Sequence, residues 1–142
     1  MFSLDQSLGF VVNRTATCMR SQLMADFEAH GFDITSDQWL VLNRLNEEDG
    51  ISQKELAIRV YKDKTNTARI IEIMERKGLI ERRNDAEDQR QRLVYLTAQG
   101  SSTYQHLIPI VRAALQRAQE GFSDEEISQL ISTLNRIYYN LT

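Results

Sequence analysis

Ser52-Gln-Lys-Glu55, Asp63-Lys-Thr-Asn66, Gly78, Leu79-Ile-Glu-Arg-Arg83 and Arg92-Leu-Val-Tyr-Leu96 follow one another in the stretch whose reading decides the fold. A serine with a glutamate three residues on is a capping-box pattern, so a short helix opens at Ser52 and turns Leu56, Ala57 and Val60 inward. A second helix begins at Asp63 to Asn66 and stops at Gly78, where glycine suits a helix end. The runs 79–83 and 92–96 are β-prone and enclose a charged loop from Asn84 to Gln91. Helix, turn, helix, strand, polar tip and strand make a winged helix-turn-helix. That order fills one groove of a duplex with a helix and straddles the next with a tip. It points to double-stranded DNA as the partner.

Outward from this unit the chain is helical. Leu8, Val11, Val12, Thr15, Met19, Leu23 and Phe27 recur at helical spacing, so the segment from Leu4 to about His30 reads as one long amphipathic helix ended by Gly31. Thr35 and Gln38 form a second capping box, for a helix carrying Trp39, Leu40, Leu42 and Leu45 and closed by Asp49-Gly50. In the helix after Asp63 the expected buried side chains are Ala68, Ile70, Ile71, Ile73 and Met74. Its polar, cationic start is left for a partner. Thr97 caps a long helix to about Ala118, bent rather than ended at Pro109, since the apolar period resumes beyond it. Ser123-Asp-Glu-Glu126 caps a last helix with Ile127, Leu130, Ile131, Leu134, Ile137, Tyr138 and Leu141 on one stripe.

The expected fold is therefore mainly α with a small β-wing. Residues 35–97 form the reading unit, with 1–34 before it and 98–142 after it as flanking dimerisation helices. A winged unit is complete within 35–97, so the apolar stripes of the flanking helices have little of their own chain to cover. Pairing with a second copy is the simplest way to bury them.

Composition sets bounds. A 142-residue chain that is 42% hydrophobic and 26% charged suits one soluble domain with extensions. No run approaches a membrane span, and the first residues lack a secretory pattern. A single cysteine, Cys18, makes no internal disulfide, which fits a reducing cytoplasm. The net charge of −3 argues against DNA only until it is mapped. Of 17 Lys and Arg and 20 Asp and Glu, residues 54–94 hold 11 and 8, a local +3, leaving 6 against 12 elsewhere. Phosphate attraction acts over roughly a Debye length of ~10 Å, so the local sign governs.

Gly78-Leu79-Ile80 with Arg82, Asp88-Gln89-Arg90 at the tip, and Val94-Tyr95-Leu96-Thr97-Ala98-Gln99-Gly100 together resemble the MarR-type transcriptional regulators. The order of elements matches over essentially the full length. The resemblance implies a homodimer with interleaved terminal helices, usually a repressor, on a pseudo-palindromic operator, and often a small-molecule effector that releases it. It implies that helix 63–77 enters the major groove and Arg90 the minor groove, with Asp88 orienting a nearby arginine. Physically, a planar guanidinium suits a narrow, negative minor groove. A carboxylate beside phosphate must be paired, with Arg82 or Arg69 as its candidates. Many relatives carry a second basic residue ahead of that aspartate. This chain has Ala86-Glu87, and Arg83 and Arg92 at the strand ends are candidates to compensate.

The candidate DNA-binding residues are Ser52, Gln53, Lys64, Thr65, Asn66, Thr67, Arg69, Arg82, Asp88 and Arg90. A ligand pocket typical of the family would be lined by Phe10, Arg14, Trp39 and Tyr104. Cys18, near the apolar stripe of the first helix, is expected to be a buried structural thiol. His30 and His106 are isolated, so no metal site is expected, and no cofactor is indicated. No catalytic arrangement stands out, which argues against an enzyme. The alternative function is a winged-helix protein-interaction module that does not bind DNA.

Overall fold

The computed structural model describes residues 1–142 as six helices and a three-stranded antiparallel sheet. Helix α1 is Leu8–Ala29, α2 Ser36–Glu47, α3 Gln53–Arg59 and α4 Lys64–Arg76; strand β1 is Ile51–Ser52, β2 Ile80–Asn84 and β3 Arg92–Leu96; helix α5 is Ala98–Ala118 and α6 Asp124–Leu141. The first helix is shorter than its periodicity suggests. Leu4–Gln6 is a separate 3-10 turn, and Ser7 is extended (φ −82°, ψ 124°), breaking the run before Leu8.

Local chemistry sets most boundaries. The Thr35–Gln38 box closes in both directions: Thr35 Oγ1 accepts from the Gln38 amide at 3.1 Å, and the Thr35 amide donates to Gln38 Oε1 at 3.2 Å. The expected box at Ser52 is only half made. The Ser52 hydroxyl accepts from the Glu55 amide at 3.0 Å, while the Glu55 carboxylate turns to Arg59 at 3.2 Å. Ser123 and Glu126 complete a full box for α6. Helix α5 runs through Pro109 without a break.

The sheet order is β1-β3-β2. Strand β1 has only two residues, too few to show a period, and it pairs Ile51 with Val94 and Ser52 with Leu93. In the hairpin, Ile80 faces Leu96, Arg82 faces Val94 and Asn84 faces Arg92. The twofold alternation of a strand therefore puts Ile80, Arg82 and Asn84 on the same face as Val94. Ile80 and Val94 are buried, so this is the inner face.

One core joins the reading unit to the long helices. Val41, Leu42, Leu45, Leu56, Ile71, Met74, Leu79, Ile80 and Val94 form its centre, and Phe27, Tyr104, Leu107 and Ile110 reach in from α1 and α5. On α4 the buried side chains are Thr67, Ile71 and Met74. Contrary to expectation Ile73 is 37% exposed, and Ala68 and Ile70 are only half-buried. The entry to α5 is fixed by contact: Thr97 donates from its hydroxyl to the Gly78 carbonyl at 2.6 Å, and its amide donates to the Leu79 carbonyl at 3.1 Å. Gly100 lies so close to Leu79 that an added Cβ would sit 1.9 Å from the Leu79 carbonyl oxygen.

Helix α6 differs from the rest. None of its residues is buried, and it scarcely packs on its own chain. Its tip touches back where Tyr138 lies edge-on to Tyr61, ring centroids 5.7 Å apart. Leu130, Ile131, Leu134, Tyr138 and Leu141 are exposed along it. No helix is long and apolar enough to cross a membrane.

Candidate nucleic-acid interface

The start of α4 is an ordered polar surface. Asp63 caps it, accepting from the Asn66 amide and from the Asn66 side-chain nitrogen, each at 2.7 Å. Hydrogen bonding from the Asn66 amide, opposed by desolvation, holds the Asp63 carboxyl below its ordinary pKa. Asn66 Oδ1 in turn accepts from Arg69 at 3.2 Å, so three side chains are held in sequence along the first turns. Lys64, Thr65, Asn66 and Arg69 are exposed. Thr67 is not: it is fully buried, and its hydroxyl donates to the Asp63 carbonyl at 2.8 Å. The expectation that Thr67 reads DNA is corrected, because a residue one helical turn from Asp63 on the core side is an internal tie.

The wing departs from expectation in its ion pairs. Arg82 does not reach Asp88. It lies on the inner face and holds Glu75 of α4 with both arms of its guanidinium, Nε to Oε2 at 3.3 Å and an Nη to Oε1 at 2.9 Å. Those hydrogen bonds lower the Glu75 pKa and raise that of Arg82. Arg82 is thereby a support rather than an exposed contact. Asp88 orients no arginine side chain; its Oδ1 accepts from the Arg90 amide at 3.0 Å, a tight turn within the tip. Arg69, the other candidate partner, is engaged by Asn66. Arg83 pairs with Glu81 and lies over the Tyr95 ring at 4.2 Å on the outer face.

Between the start of α3, the start of α4 and the wing lies a cleft of about 320 Å³, lined only by Ser52, Gln53, Lys54, Lys64, Arg90, Gln91 and Arg92. No hydrophobic side chain lines it. Its four cations, Lys54, Lys64, Arg90 and Arg92, form no ion pair with a carboxylate. Unpaired cations converging on one concave surface suit a chain of phosphates. Lys54 and Gln91 were missed from the sequence, and Arg92 entered only as a strand-end reserve. No local pattern marks them; the antiparallel return of β3 beside β1 brings them together.

Comparison with known proteins places this arrangement. The model of the MarR family matches residues 34–91. The solved transcriptional regulator SlyA is 31% identical, with 92% of this chain and 90% of that one covered and a TM-score of 0.82. The chain belongs to the MarR family. Its relatives are transcriptional regulators, not enzymes. Another relative is YybA of Bacillus subtilis (strain 168), an HTH-type transcriptional regulator, 29% identical over 83% of this chain and 79% of its own length. The fold is also that of CouR, solved on a 23-mer DNA duplex, at 23% identity, 95% and 94% coverage and a TM-score of 0.87. CouR from Rhodococcus jostii RHA1, bound to p-coumaroyl-CoA, shares the fold at 22% identity, 96% and 95% coverage and a TM-score of 0.83.

In this MarR-family chain the four proposed pocket residues fall into two pairs. Trp39 and Tyr104 stack, centroids 5.5 Å apart and planes within 5°, and the Tyr104 hydroxyl donates to Asn43 at 3.0 Å. Phe10 and Arg14 lie on the first turns of α1, with the guanidinium 5.8 Å from the Phe10 ring centre. One apolar cavity, about 680 Å³, is bounded by α1, α2, α5 and Lys62; it takes Trp39 but none of the other three. Met19, Leu23, Leu40, Val111 and Leu115 supply apolar wall. Cys18 is exposed and lines it, against the expectation of a buried thiol. No group of three or more His, Cys, Asp or Glu side chains is placed to hold a metal.

Proposed function

We propose that the chain acts as a homodimeric repressor on a pseudo-palindromic operator, with α4 in the major groove and the tip 84–91 in the minor groove. The carrying observation is the cleft of unpaired cations joining the exposed start of α4 to Arg90. The reading residues are then Lys64, Thr65, Asn66 and Arg69 on bases and Arg90 in the minor groove, with Ser52, Gln53, Lys54 and Arg92 along the backbone. The DNA-bound state of CouR supports the same use of the fold. A cytoplasmic location follows from this role.

Dimerisation rests on α6. A helix with Leu130, Ile131 and Leu134 exposed and scarcely any packing on its own chain is stable only when a second copy covers it. Residues 1–34 and 98–142 supply that interface, and 35–97 reads DNA. Twofold symmetry then spaces the half-sites by about 10 bp.

Release by a small-molecule effector uses the apolar cavity between α1, α2 and α5. Lys62 borders it, ion-paired to Asp37 at 3.1 Å, and immediately precedes Asp63, the cap of α4. A molecule that draws Lys62 from Asp37 therefore displaces the start of the reading helix. CouR bound to p-coumaroyl-CoA shows that this fold admits such a ligand in that protein.

The test is selection of bound duplexes from genomic fragments by the purified chain, then titration with salt. Two backbone cations per protomer, Lys54 and Arg92, four per dimer, give an expected slope of log K on log salt of about −4. A flat dependence would favour the protein-interaction alternative.

A further inference from the structure

We propose that Glu75 is the positioning residue of the wing: through Arg82 it fixes the angle between the reading helix and the hairpin, without itself touching DNA. This rests on the DNA-binding reading above and extends it to the device that keeps two probes in register.

The geometry has three parts. The hairpin register places Arg82 opposite Val94 on the inner face, two residues before the tip begins beyond Asn84. Arg82 then meets α4 near its end and is gripped at both guanidinium positions by Glu75. Arg82–Glu75 is the only ion pair that joins α4 to the sheet. The neighbouring acid Glu72 pairs with Arg76 at 2.6 Å and reaches Arg82 only through space, with no hydrogen bond to it.

No hydrogen bond or ion pair joins the tip itself to α4. Asp88 is spent on the Arg90 amide and Asp85 on the Glu87 amide, so both carboxylates shape the tip internally. The sheet's apolar contacts lie at Ile80 and Val94, and beyond them a two-stranded ribbon is free to twist. A bidentate arginine fork resists that twist because both hydrogen bonds fix its plane. The pair is only partly exposed, at 19% for the Arg82 side chain and 36% for Glu75, so it is screened less than a surface pair.

The experiment compares the full-length parent, E75Q, and the charge-swapped E75R/R82E on the selected operator, with circular dichroism and urea midpoints recorded for each. For E75Q the expected loss of affinity is about tenfold. Its footprint should lose minor-groove protection under the wing and keep major-groove protection under α4. The swap should restore both affinity and footprint. A merely structural role would weaken both grooves alike; that result overturns the inference, as does an E75Q footprint identical to the parent. If E75Q does not fold, R82K answers instead: a cation without the fork should lose the minor-groove protection selectively, and an unchanged footprint overturns the inference. A parent that binds no duplex removes the reading of the site first. A parent that binds while the variants fail these expectations removes the inference alone.

Discussion

Arg90 stands at the wing tip with its backbone amide tied to Asp88 and its guanidinium in no ion pair, an exposed cation on an ordered base. Arg90→Ala is expected to weaken operator binding by about tenfold or more, since a groove contact is worth ~1–3 kcal/mol, while the dimer survives. Gel shift and sedimentation check the two halves of that statement. Asp63 gives a pH dependence. Its folded pKa is depressed, chiefly by the Asn66 amide, so its contribution to stability is full above the ordinary carboxylate range and fades as pH falls through the folded value. The stability gap between the parent and D63N should therefore narrow on acidification below about pH 4. Urea midpoints measured from neutral to acid pH test this, and a constant gap would sink it. Arg69 and Thr67 show the limit of reading residues singly: both sit on the same helix, yet one faces out and the other ties into the core.

The helix starts were legible because their signals are local. Thr35, Ser52, Asp63, Thr97 and Ser123 all cap helices, each accepting from an amide three residues on. The hairpin was legible in extent but not in consequence. Once Ile80 is assigned inward, alternation alone turns Arg82 inward too, toward α4 and away from Asp88. Strand β1 escaped because its pairing with β3 spans some forty residues of chain. The junction of β2 and α5 yields the next prediction. Gly100→Ala gains helix propensity of up to ~1 kcal/mol, but the methyl would fall 1.9 Å from the Leu79 carbonyl oxygen. Backbone cannot yield as a flexible side chain does, so the clash wins. The net loss should be about 1–3 kcal/mol in denaturant unfolding. An unchanged or raised midpoint would refute the close packing of α5 on Leu79, just before β2.

Assembly is where one chain is insufficient. Helix α6 runs back until Tyr138 meets Tyr61, yet leaves its apolar stripe uncovered. Ile131→Asp should convert the dimer to monomer in sedimentation at micromolar concentration. Operator affinity should fall with it, because two half-sites held by linked readers bind far better than either alone. A dimer that persists in this variant would move the interface elsewhere. The apolar cavity belongs to the same level of organisation. It joins α1, α2, α5 and the turn before α4, elements far apart in sequence, and no local pattern could have assembled it.

Caps, hydrophobic periods and the motif order around Gly78, the wing and Thr97-Ala98-Gln99-Gly100 depend on neighbours a few positions apart. They were sufficient for the helices, the hairpin and the family. Which cations stay free, which carboxylate holds Arg82, and whether Thr67 or Cys18 faces solvent depend on pairings between distant segments. Those were decided by the packing of α4 against the sheet and of α1 against α5, because burial and ion pairing are properties of surfaces brought together rather than of the chain that supplies them.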